Sequence, residues 1–210
     1  MKKITLVLLL ICSSSFGQRN YLNEGNRLLG QEKNKEAETV FRDALNEDKD
    51  NVIYQTQLAL SLLNQGKHEE AQKILDNVLN KDDKNVAALW YSGINQFMNT
   101  NDFKKSVEYF ETAFPLIPKI SPQYFAVNFF IGKSYKNLLH TKGLTYSQTS
   151  RMLETLKEYV RLQPNAEDAA YLKSFVERVE KNRPGKNVQN WVIANSEAKA
   201  AELIEEELKK

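Results

Sequence analysis

The sequence predicts an all-α fold, an α-solenoid of about four helix–turn–helix units with capping helices at its C-terminal end. Three observations carry this. A small–large–small triplet recurs at Ala37, Phe41 and Ala44, at Ala71, Leu75 and Val78, and at Ser106, Phe110 and Ala113; its first residues stand 34 and 35 residues apart. Twelve residues before each triplet lies a second helical stretch, centred on Gly25, Ala59 and Ile94 and flanked by Tyr21 and Leu28, Leu58 and Leu62, and Trp90 and Phe97. Short polar turns, NQGKHEE and NTNDFKK, separate the two stretches,. Steps of three and four put such residues on one helix face. A period near 34 marks a repeat array.

Residues 1–17, MKKITLVLLLICSSSFG, are a different material. Lys2 and Lys3 precede an apolar run from Ile4, and small residues follow it. This is the three-part pattern of a secretory leader. The run is too short to span a bilayer, which takes about 20 residues. Cleavage is expected after Gly17, which makes Gln18 the new first residue and predicts an exported protein of the periplasm or cell envelope. Cys12 opens a second route, lipidation, but Ile11 stands where a lipidation box has a small residue. Membrane attachment is therefore expected only if Cys12 is lipidated. Without the leader the chain has no cysteine, and loss of Lys2 and Lys3 leaves 27 basic against 27 acidic residues. No basic stripe is visible, which argues against a nucleic-acid partner. With 41% hydrophobic and 27% charged residues, the rest has enough apolar surface to fold,.

The units follow in order. The first, about 18–51, carries Tyr21, Gly25, Leu28, Ala37, Phe41 and Ala44. The second, about 52–86, carries Leu58, Ala59, Leu62, Ala71 and Leu75. The third, about 87–120, carries Trp90, Phe97, Asp102, Phe103, Ser106, Phe110, Ala113 and Pro118. Pro115 is expected to end its second helix early. These units resemble tetratricopeptide repeats, whose pattern is Trp-x2-Leu-Gly-x2-Tyr followed by Ala, Phe, Ala and Pro. The resemblance covers about 145 residues. It implies a right-handed solenoid and a scaffold that binds proteins without chemistry.

The fourth unit, 121–164, is irregular. IGKSY at 131–135 matches the Leu-Gly-x2-Tyr segment, and Met152, Leu156, Tyr159 and Pro164 match the later positions. The turn between them has grown by about eight residues, so 138–147 is read as a longer loop or as an extension of both helices. Residues 165–182 read as a capping helix, with Tyr171, Phe175 and Val179 in one stripe and Leu172 and Val176 beside it. RPGK at 183–186 then breaks the chain. From about Val188, Trp191, Ala194, Ala198, Ala201, Ile204 and Leu208 recur at helical steps. That predicts a C-terminal amphipathic helix over the rest of 183–210, either a second cap or one that docks on a partner or folds into the groove.

Nothing in the sequence builds an active site. His68 and His140 read as solvated turn residues, and no metal or cofactor is expected. EDKDN and KDDKN lack the glycine and closing glutamate of a calcium loop; they recur because the turn between repeats needs Asp and Asn. No phosphate loop or nucleophile motif is present, so the protein is not expected to be an enzyme or to take a small-molecule substrate.

What remains is binding. In the family the chain resembles, the first helix of each repeat lines a groove that takes a peptide or a helix. The face away from the core stripe gives Leu22 and Asn26, then Thr56, Leu60 and Leu63, then Tyr91 and Asn95, then Phe125, Phe129 and Lys133, with Lys136 beyond. Some members of the family clamp a peptide carboxylate with Lys, Asn and Arg here. In this chain Asn26 stands where the clamp Asn would, but Leu22 replaces the Lys, so a clamp is not expected. The expected role is a protein-binding scaffold in the bacterial cell envelope. The alternative is a structural subunit of an envelope assembly or secretion complex, lipid-anchored through Cys12.

Overall fold

The structure is a computed structural model and describes residues 20–194. The expected leader, with Cys12, and residues 195–210 lie outside the described residues. The elements within it are α-helices: α1 (Tyr21–Gly30), α2 (Asn34–Glu47), α3 (Val52–Leu63), α4 (His68–Lys81), α5 (Val86–Asn95), α6 (Phe103–Ala113), α7 (Pro122–Thr141), α8 (Tyr146–Leu162) and α9 (Ala169–Asn182). Each helix packs on the next, and α3 also touches α1 and α5, as stacked hairpins require,.

The recurring Asn residues start the first helices. Asn20, Asn51 and Asn85 accept hydrogen bonds from the backbone N–H of Asn23 (3.0 Å), Tyr54 (3.1 Å) and Ala88 (3.0 Å). These are N-caps that satisfy donors the helix itself cannot. Asp102 does the same for α6. The acidic and amide turns EDKDN and KDDKN are thus punctuation, each ending in the cap of the next repeat.

One packing rule joins the two helices of each repeat. The Phe41 ring lies where a Cβ on Gly25 would sit. A Cβ on Gly93 would come within 2.7 Å of Phe110, and one on Gly132 within 2.7 Å of Leu156 Cγ. In the second repeat Ala59 and Leu75 take these places, both fully buried. The small residue of the third repeat is therefore Gly93, not Ile94 as the spacing suggested. The one-residue surplus is taken up at residues Gln96–Thr100, where the chain winds as a π-helix and closes on Asn101 with φ 55°. A π-turn adds one residue while keeping the helix running.

Pro115 acts as expected: α6 stops at Ala113 and a 3-10 turn spans Phe114–Leu116. In the fourth repeat the enlarged turn is an extension of both helices. α7 is 20 residues long, and only 142–145 separate it from α8. His140 accordingly lies in the last turn of α7 rather than in a loop, half-buried, which corrects its reading as a solvated turn residue.

α9 caps the array by burying Leu172, Phe175, Val176 and Val179, while Tyr171 stays 50% exposed. The helix expected from about Val188 is not formed over 188–194. That stretch instead runs back along the α7–α8 turn. Leu144 and Trp191 exchange two backbone hydrogen bonds, both 2.9 Å, and the Ile193 N–H donates to the Leu139 carbonyl at 3.0 Å. The turn's polar backbone thus satisfies groups that a helix would have paired internally. Arg183 fixes the start of this strap, donating to the Tyr146 carbonyl (3.1 Å) and to Ser150 Oγ (2.9 Å) with its guanidinium over the Tyr146 ring.

Candidate partner-binding site

Offsets from the small residue define the shared face of the first helices. Leu22 and Asn26 lie at −3 and +1 from Gly25, Thr56 and Leu60 from Ala59, and Phe129 and Lys133 from Gly132. Applied to Gly93, the same offsets give Trp90 and Ile94. The sequence reading, one residue out of phase, gave Tyr91 and Asn95. Asn95 is 1% exposed and points at α4, where its amide donates to Gln72 Oε1 (2.9 Å) and to the His68 carbonyl (3.3 Å). It is a clasp between repeats and leaves the list of partner contacts. Tyr91 is half-buried against the core of the first two repeats, and that burial pushes its hydroxyl above the ordinary tyrosine pKa.

Thr56 also leaves the list. It is 3% exposed and its hydroxyl donates to the Ile53 carbonyl. Leu22 and Leu63 are half-buried and lean on the core, Leu60 is half-buried off it, and Asn26 is exposed. Ile53, seven residues before Leu60 on the same helix face, is 54% exposed,. Its counterpart in the first repeat falls at position 19, before α1 begins.

At the far end the aromatic residues are engaged. Phe125 packs against the larger core. The Phe129 ring lies 5.0 Å from that of Tyr159 and 5.2 Å from that of Phe130. Lys133 sits over the Phe129 ring and pairs with Asp168 at 3.6 Å. Burial and the hydrogen bond to Asp168 push the Tyr159 hydroxyl up to about 12. Phe129 therefore joins α7 to α8, and Lys133 ties the fourth repeat to the start of the cap.

Beyond them the face opens into a cleft of about 760 Å³ between α7 and α9. Lys136, Asn137 and His140 line one side, Tyr171, Phe175 and Arg178 the other, and Trp191 and Ile193 close one wall. Lys136 Nζ lies 5.4 Å from the Tyr171 ring centre and 5.2 Å from that of Phe175, distances at which a cation and a ring attract. His140 Nδ1 is 2.8 Å from the Ile193 carbonyl oxygen. The strap residues were missed because their helical spacing hid an extended segment. Among the described residues, no group of His, Cys, Asp and Glu could hold a metal ion. No helix among them is long and apolar enough to cross a membrane.

Residues 28–91 match the family described as Tetratricopeptide repeat. Over that stretch the chain carries tetratricopeptide repeat sequence. The array aligns with a structure of residues 41 to the end of MamA from Desulfovibrio magneticus RS-1, at 17% identity and TM-score 0.57, over 79% of this chain and 96% of that one. It aligns with one titled for the functional characterization of Pseudomonas aeruginosa pilF, at 16% identity and TM-score 0.61, over 77% and 68%. A tetratricopeptide repeat protein from Parabacteroides merdae aligns at 14% identity and TM-score 0.58, over 77% and 59%. At such identities the likeness is one of fold. No curated protein matches the sequence. Tetratricopeptide arrays are protein-binding scaffolds, and the geometry here is that of a scaffold: stacked, capped helices with apolar and amide side chains on one face.

Proposed function

We propose that this tetratricopeptide protein is an exported, non-catalytic adaptor of the bacterial cell envelope that holds a peptide or helix of another protein on the shared face of its first helices. One observation carries the site: Leu22, Asn26, Ile53 and Leu60 are half-buried or exposed, on two neighbouring helices with capped starts. Apolar and amide groups held on rigid helices bind with little ordering cost. The leader pattern of residues 1–17 carries the location.

Photo-crosslinking in intact cells tests both parts. A photoreactive side chain replaces Leu60 or Asn26, with Glu69, exposed on α4, as the control. One protein adduct from Leu60 and Asn26 but not from Glu69, recovered in the envelope fraction, is the expected result. Equal adducts from Glu69, or none from either face position, overturn the site. An adduct in the cytosolic fraction overturns the location. Recovery only in membranes, lost in Cys12→Ser, favours the lipid-anchored subunit.

A further inference from the structure

The α7–α9 cleft lies between the fourth repeat and the capping helix and does not belong to the face formed by α1 and α3. We propose that residues 195–210 of this same chain occupy it. Three features support this.

The first is position. The described chain reaches Ala194 on the lining of the cleft. Its approach is fixed by the bonds of Trp191 and Ile193 to the α7–α8 turn and by the Ile193 carbonyl against His140. The following residues are delivered to the cleft mouth, and a tether this short gives a high effective concentration.

The second is charge. Lys136 and Arg178 line the cleft, and no Asp or Glu does. Residues 195–210 hold Glu197, Glu202, Glu205, Glu206 and Glu207 against three lysines. Opposite potentials fix the register of such a contact and make it sensitive to salt.

The third is shape. Ala198, Ala201, Ile204 and Leu208 recur at helical steps and would form one apolar stripe on a helix,. Sixteen helical residues reach about 24 Å, against about 21 Å for the 14-residue α9,. The segment can therefore lie along α9, its stripe on Tyr171 and the strap residues Trp191 and Ile193 and its carboxylates beside Lys136 and Arg178. The site is then filled by the chain itself, and an outside partner reaches it only by displacing that segment.

A spin label tests this on the full chain in a Cys12→Ser background. The nitroxide is placed at Lys209→Cys, and the Trp191 indole and the Tyr171 and Arg178 amides are followed by NMR. Loss of these signals is expected, with the α1 and α3 amides untouched. They should persist when labelled, isotope-free protein is mixed with unlabelled, isotope-enriched protein. They should return in Ile204→Glu/Leu208→Glu and in Lys136→Glu/Arg178→Glu. Signals unaffected by the label overturn the proposal. Signals lost in the mixed sample overturn it as well and assign the cleft to a second copy. The inference stands apart from the adaptor reading, because the Leu60 crosslink does not depend on the cleft.

Discussion

In the first two repeats each first helix is 10 or 12 residues long, its partner is 14, and the buried core is built mainly from aliphatic side chains around Phe41 and Tyr21. In the third and fourth the helices reach 20 residues, and a cluster of aromatic rings is set into the aliphatic core. Phe110 stacks on Phe130 at 5.0 Å with the Trp90 ring edge-on at 5.5 Å, and Phe97 meets Phe130 at 5.3 Å. The clips between repeats differ too. At the front, Glu38 gathers Arg42, Gln65 and Lys67. At the back, Arg151 grips Glu111 through two nitrogens at 2.9 and 3.0 Å and covers the Phe114 ring. A regular front stacks by repetition, whereas the back has departed from the period and compensates with ring contacts, a bidentate pair and a strap.

The sharpest test of that contrast removes one ring from each core. Phe41→Ala and Phe110→Ala both empty a fully buried site, and each is expected to cost about 4 kcal/mol in urea unfolding. Phe110→Ala should cost about 1 kcal/mol more, because it also forfeits ring-on-ring contacts. Equal costs would deny the back core its special character.

Next comes the small–large rule. Gly25→Ala should cost about 2 kcal/mol by crowding Phe41. Adding Phe41→Leu copies the Ala59–Leu75 pair of the second repeat, and the double variant should be more stable than the sum of the two single costs allows. Strict additivity would show that the two positions do not share one space.

The third test concerns Glu38. Burial opposes its ionisation, but hydrogen bonds from Lys67, Gln65 and Arg42 outweigh it and lower the carboxyl from 4.5 to about 2. A depressed folded-state value stabilises above the unfolded value and is lost as pH falls toward the folded one. Glu38→Gln should cost about 1.5 kcal/mol at neutral pH. The gap to the parent should close between pH 4.5 and about 2; a constant gap refutes the ionic clip.

The smallest effect is local. Arg183→Ala should lower global stability by only about 1 kcal/mol. Amide exchange at Leu144 and Trp191 should rise far more than exchange within α3. Uniform acceleration would mean the strap is part of the global fold.

The front half was legible in the sequence because its spacing is regular: Ala37, Phe41 and Ala71, Leu75 announce helix faces, and EDKDN and KDDKN announce the turns between repeats. The third repeat was legible except for its phase. The 35-residue step and the glycine at 93 were the available signals, and the apolar Ile94 beside it masked them. That slip placed Asn95 in the groove. Thr56 failed for another reason: its offset is right, but burial at a helix face depends on what the neighbouring repeat lays over it. The strap was illegible because Trp191 and Ala194 obey a helical period while the hydrogen bonds of Trp191 and Ile193 go to residues about fifty positions earlier, and periodicity carries no such information.

The turn at Gln96–Thr100 has the character of a dislocation in a crystal. One surplus unit enters a periodic row, the misfit is confined to a single winding, and the rows beyond fall back into line, so that Gly93 still meets Phe110 and Gly132 still meets Leu156. A lattice that heals this way tolerates lengthening at its seams. The same seam in the next repeat has absorbed a far larger surplus, and what that insertion built is the ledge on which the strap rests.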